Sequence, residues 1–65
     1  MCEANVYLYD EDEGEKLFLE RVDKIIPHPE NEIYLENIFG KRKFIKARIK
    51  EMALVEHRII LEKIT

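Results

Sequence analysis

Alternating apolar and polar residues mark the first predicted strand of the chain. Over residues 2–9, Ala4, Val6 and Leu8 fall on one side of an extended backbone, and charged, amide or tyrosine side chains fall on the other. A period of two is typical of a strand with one buried face. We therefore predict a β-strand here whose apolar face contributes to a core.

Two more strands are predicted in the middle of the chain. After an acidic turn the second strand begins at Leu17, and the changed parity of Val22 predicts a bulge near residues 20–22. The prolines of the following Pro-His-Pro segment end this strand, because proline cannot donate a ladder hydrogen bond. On the third strand, Ile33 and Leu35 face inward.

Residues 41–64 support two interpretations. Several of their apolar residues recur at helical spacing, in a segment rich in helix-forming residues. These are Ile45, Ile49, Met52, Val55 and Ile59. One interpretation of the segment is therefore a helix.

The other interpretation is a pair of strands. Ile45, Ala47 and Ile49 then face inward, a turn covers residues 55–57, and a last strand covers residues 58–64. The Ile-Ile-Leu run in the last strand and the strands that precede the segment favour this interpretation. We predict an all-β fold of about five short strands, in a single domain over residues 1–65.

Composition limits the class of protein further. Hydrophobic residues make up 46% of the 65 residues, which excludes a disordered tail. No apolar run approaches the roughly 18 residues of a membrane span, and the acidic N-terminal region does not resemble a signal peptide. A cytoplasmic location without a membrane partner is expected.

Cys2 is the single cysteine, so neither an intrachain disulfide nor a zinc site with two cysteines from one chain can form. A core this small is commonly stabilised by oligomerisation. Apolar residues on both faces of residues 59–64 indicate the same, so a homodimer is predicted. Catalysis is not predicted, because the chain has no serine nucleophile and its two glycines do not form a phosphate-binding loop.

A basic stretch in the second half of the chain suggests RNA binding as an alternative function. An exposed aromatic ring flanked by cations can stack on a base while the cations contact phosphates. We refer to the predicted residues as the basic stripe. They are Lys41, Lys43, Phe44, Lys46, Arg48 and Lys50.

The first eight residues, Met-Cys-Glu-Ala-Asn-Val-Tyr-Leu, resemble the start of the CooT family, very small proteins that begin Met-Cys-x-Ala and continue into an apolar strand. Phe39-Gly40 with its basic continuation, and a hairpin-like segment over residues 49–62, resemble later parts of the family pattern. His57 stands where glycine is usual in that pattern.

This resemblance implies a small SH3-like or OB-like β-barrel that forms a homodimer. It also implies Ni(II) binding through the second-position cysteine, in a metallochaperone or metal sensor for a nickel enzyme such as carbon monoxide dehydrogenase, or for its maturation factors. An older family label is predicted RNA-binding protein.

The chemistry of Cys2 is compatible with nickel. If Met1 is removed, the α-amine and thiolate of Cys2 can chelate one ion, and Ni(II) suits planar coordination by nitrogen and sulfur. In a symmetric dimer, two Cys2 residues could share that ion. The alternative is a buried cysteine that packs as a small hydrophobe. His28 and His57 are weaker candidates, since neither shows the paired spacing of a zinc motif.

Overall fold

Five strands and one short 3-10 turn make up the fold of residues 3–64, the part of the chain that this computed structural model describes. The elements are β1 (Ala4–Asp10), β2 (Gly14–His28), the 3-10 turn (Pro29–Asn31), β3 (Glu32–Asn37), β4 (Arg42–Ala53) and β5 (Arg58–Lys63). The two-strand interpretation of the last third of the chain is therefore confirmed, and the helical one is wrong. No helix among the described residues is long and apolar enough to cross a membrane.

The strands close into a barrel in the order β1-β2-β3-β4-β5. Consecutive strands pair antiparallel, whereas β1 and β5 pair in parallel, with Val6 opposite Ile59 and Leu8 opposite Leu61. Closure satisfies the backbone of both outer strands and leaves no free sheet edge. The predicted small all-β barrel is confirmed.

The barrel interior holds a single apolar cluster. Val6, Leu35 and Leu61 have no exposed surface, and they pack with further buried side chains from every strand. Those are Leu19, Val22, Ile33, Ala47 and Ile59. The alternation predicted for β1 and β3 is thus correct, because Val6 and both apolar residues of β3 face this core.

A bulge lies in β2, the long strand that pairs with both β1 and β3. Ala4 pairs with Val22 and Val6 pairs with Leu19, so β2 has one residue more than β1 between these pairs. Arg21 takes up the excess with a φ of 53°. The bulge bends the strand away from β1 and towards β3, as predicted from the parity of Val22.

Two sequence-based expectations about the last strands need correction. Ile49 was predicted to face the core but is 41% exposed, because the β4–β5 register shifts between Ile49 and Glu51 and ends the alternation. Ile60 lies outside the core cluster, yet it is only 5% exposed within one chain. The second apolar face of β5 therefore does not by itself require a partner, and the homodimer stays a prediction.

Candidate functional site

The candidate site lies at the end of the barrel where the chain enters β1. Cys2, the predicted metal ligand, is outside the described residues, and Glu3 is the first residue whose surroundings are known. The Glu3 carboxylate lies 3.6 Å from Nε of Arg21. The Glu3 carbonyl oxygen lies 3.1 Å from Nδ1 of His57. The residue after Cys2 is thus in contact with both the β2 bulge and the turn before β5.

His57 is fixed in place by its backbone as well as by its ring. It ends the turn over residues 54–57 with a φ of 57°, a conformation that glycine adopts more readily than other residues. Its carbonyl accepts a hydrogen bond from Asn5 N–H over 2.9 Å, and its N–H donates to the Leu54 carbonyl over 3.2 Å. The turn is therefore fastened to the start of β1.

Two neighbouring depressions open at this end, which we call the N-terminal pole. The polar depression, of about 420 Å³, is lined by Glu3, Asn5, Arg21 and His57. The apolar groove, of about 430 Å³, shares Glu3 and His57 with it. Its other lining residues are Ala4, Val22, Asp23, Ile25, Leu54 and Ile59. A group bound beside Glu3 would thus meet an imidazole, a carboxylate and an apolar wall.

The N-terminal pole contains polar groups of the kinds that transition metals accept as ligands. Within residues 3–64 no three His, Cys, Asp or Glu side chains group as metal ligands. The pole instead offers the imidazole of His57, which contacts the backbone of Glu3, the residue that follows Cys2. Imidazole nitrogen, backbone amide nitrogen and thiolate sulfur are all ligands that Ni(II) accepts.

His28 does not belong to this pole. It ends β2, six residues beyond Val22, which at a strand's rise corresponds to about 20 Å. Its ring packs against Phe44, with 5.1 Å between centroids. Of the two histidines, only His57 lies beside Glu3, the residue before β1.

Phe44, Lys46, Arg48 and Lys50 of the basic stripe occupy alternate, exposed positions of β4, and two of the stripe's lysines contact aromatic rings. Lys43 Nζ lies over the ring of Phe18, 5.1 Å from its centroid. Lys50 Nζ lies over the ring of Tyr9, at 4.9 Å. These two cations therefore make cation–π contacts with different strands, Lys43 with β2 and Lys50 with β1.

Arg48 and Lys46 of the basic stripe each have an acidic residue opposite them on a neighbouring strand. Arg48 Nε lies 3.2 Å from a carboxylate oxygen of Glu62, and Lys46 is in register with Glu32 on the neighbouring strand. Phe44 is 58% exposed, as predicted, but its ring contacts are with His28 and Tyr34. Lys41 lies before β4, in the turn that Asn37 organises. RNA binding by these residues stays a prediction.

The residues around Glu3 could not be found from the sequence. Asn5 and Arg21 come together because the β2 bulge turns the Arg21 N–H towards Asn5 Oδ1, at 3.0 Å. His57 reaches them only through the parallel pairing of β1 with β5. Of these residues, only His57 was named from the sequence, as a weaker candidate ligand.

Comparison with known proteins agrees with this architecture. A family model described as CO dehydrogenase accessory protein CooT matches residues 1–62. A crystal structure assigned to CooT from Carboxydothermus hydrogenoformans is 56% identical, covers 98% of this chain and 100% of its own, and superposes with a TM-score of 0.87. No curated protein matches the chain. The chain belongs to the CooT family of CO dehydrogenase accessory proteins.

Proposed function

We propose that this protein is a nickel-binding accessory protein for the maturation of CO dehydrogenase, and that the thiolate of Cys2 is its principal metal ligand. The observation that carries the proposal is family membership over residues 1–62, which include the Met-Cys-x-Ala start. CO dehydrogenase is a nickel enzyme, so a small accessory protein with a soft ligand suits delivery or sensing of the metal. The protein acts in this role as a carrier or sensor and not as an enzyme.

The surroundings of Glu3 support this proposal physically. A metal site needs its ligands held by a rigid support, since freely moving ligands lose entropy on binding. Glu3 is held by contacts with Arg21 and His57, and Asn5 by a hydrogen bond to the His57 carbonyl. The residue that follows Cys2 is therefore anchored on a closed barrel.

A homodimer is part of the proposal, because two Cys2 residues can complete one site that a single thiolate cannot. The apolar groove supports this: it opens beside Glu3, and Leu54 at its rim is 65% exposed. Light scattering is expected to give about twice the 7.8 kDa of one chain across micromolar concentrations. A monomer whose melting temperature does not change on dilution would contradict this part of the proposal.

The substitution Cys2→Ser tests the metal ligand. It removes the soft thiolate while nearly preserving size, so Ni(II) affinity should fall by orders of magnitude with unfolding by urea nearly unchanged. Thiolate-to-nickel charge-transfer absorption should be present in the parent protein and absent in the variant. Binding should also weaken below about pH 6, because protons compete for the thiolate. An unchanged nickel titration in Cys2→Ser would refute the proposal.

A further inference from the structure

Within residues 3–64, one ring nitrogen of His57 makes a hydrogen bond and the other does not. Nδ1 lies 3.1 Å from the Glu3 carbonyl oxygen, which can only accept a hydrogen bond. Nδ1 therefore carries the hydrogen, and in the neutral ring Nε2 has a free lone pair. Histidines that bind metals almost always donate their other N–H to a carbonyl or carboxylate in this way.

The other polar groups of the depression are already engaged. The Glu3 carboxylate faces Arg21, and Asn5 Oδ1 accepts the Arg21 N–H. Among residues 3–64, Nε2 of His57 has no hydrogen-bond partner. The positive charge of Arg21 is offset by Glu3, so the depression carries no net repulsion for a cation.

The position of His57 relative to Cys2 also matters. The Glu3 carbonyl that orients the ring belongs to the residue directly bonded to Cys2, and consecutive Cα atoms are about 3.8 Å apart. The ring is thus held by the same short segment that carries the thiolate. Its backbone is held as well, by the hydrogen bonds to Asn5 and Leu54.

We propose that Nε2 of His57 is a nitrogen ligand to the metal that Cys2 binds. This inference rests on the proposed function and adds a residue to the same site. The Glu3 carbonyl fixes the ring orientation, and the imidazole supplies a nitrogen donor in addition to the sulfur of Cys2. It gives this chain a ligand that a glycine at the same position cannot provide.

The variant His57→Asn separates the ligand role from the structural one. Asparagine tolerates a positive φ, and its side-chain amide can still donate to the Glu3 carbonyl, but it has no counterpart of Nε2. His57→Gly removes the side chain and relaxes the backbone at the same position. His28→Asn is the matched control, since that ring packs against Phe44 away from the pole.

The probe is Ni(II) alone, titrated into each purified full-length variant by calorimetry. Both His57 variants should bind Ni(II) at least about tenfold more weakly than the parent, with similar urea unfolding for His57→Asn, whereas His28→Asn should match the parent. The ¹⁵N resonance of His57 Nε2 should shift or broaden on addition of Ni(II), while that of His28 should not.

The outcomes distinguish this inference from the proposed function. If Cys2→Ser loses nickel while both His57 variants keep parental affinity and the Nε2 resonance does not move, the His57 ligand is refuted and the Cys2 site stands. If Cys2→Ser binds like the parent, both fail. Loss of affinity in Cys2→Ser together with weakening in both His57 variants supports both.

Discussion

Asn37 and Lys41 are joined by two hydrogen bonds across the turn between β3 and β4. The Lys41 N–H donates to Asn37 Oδ1 over 2.8 Å, and the Asn37 N–H donates to the Lys41 carbonyl over 3.0 Å. The Phe39 N–H donates to the same Oδ1 over 3.1 Å. Asn37 is 4% exposed, so one buried side chain satisfies two backbone donors of the turn.

The variant Asn37→Ala should destabilise the protein by about 1–3 kcal/mol, because it leaves these donors without a partner. The free energy of unfolding from urea titration measures the effect. Glu11→Ala, in the exposed turn between β1 and β2, serves as the control and should change stability by less than about 0.5 kcal/mol. Equal stability of the two variants would show that the side chain does not organise the turn.

Two leucine substitutions test the position of the core. Leu35 has no exposed surface, whereas Leu54 is 65% exposed. Leu35→Ala should cost about 2–5 kcal/mol from lost burial and the cavity it leaves. Leu54→Ala removes the same atoms from a solvent-facing position, so urea unfolding of the monomeric state should change by less than about 1 kcal/mol. Similar losses in both variants would argue against the barrel interior described above.

The Tyr34–Glu36 contact should be visible in a pH titration. The pKa of Tyr34 is raised above its ordinary value because its hydroxyl donates a hydrogen bond to Glu36 over 2.7 Å, with burial and the Glu36 charge acting in the same direction. The stabilisation is present below the ordinary tyrosine pKa of about 10 and is lost as pH rises through the raised one.

Tyrosinate absorbance of the parent, corrected with Tyr34→Phe, isolates this group. In Glu36→Gln the carboxylate is gone, so the pKa of Tyr34 should fall towards its ordinary value. A titration of Tyr34 that is the same in the parent and in Glu36→Gln would mean that the hydrogen bond does not form in solution.

The side-chain contacts of the basic stripe lead to a prediction about RNA affinity. Because Lys43, Lys50 and Arg48 contact other side chains, we expect affinity for single-stranded RNA weaker than about 10⁻⁴ M at physiological salt. Fluorescence anisotropy with a labelled oligonucleotide measures it. Micromolar binding that falls with salt, and that disappears in Lys46→Glu combined with Arg48→Glu, would contradict this expectation and support the RNA-binding interpretation.

Local patterns predicted what is local in this fold. Alternation placed Val6 and Leu35 in the core, and a parity change located the bulge at Arg21, because both depend on residues adjacent in the chain. The inward position of Ile49 failed because the register shift beside it arises between two strands. A helical spacing in the same segment was outweighed by barrel closure.

The candidate site was less accessible to sequence reasoning. Cys2 was found through the family resemblance, but the neighbours of Glu3 come from β2 and from the turn before β5. These neighbours come together because of the β2 bulge and the parallel pairing of β1 with β5. The residue pattern of a single strand predicts neither its partner strand nor the direction of pairing.

The parallel pairing of β1 with β5 is the contact that closes the barrel. A four-strand meander from β1 to β4 can form from neighbouring segments, but it has two open edges until β5 inserts between them. That insertion joins segments far apart in sequence, a kind of contact that slows folding. The contact between Glu3 and His57 spans the same junction. The pole proposed to hold the metal therefore depends on this closure, so a chain in which β1 and β5 are unpaired lacks the Glu3–His57 contact.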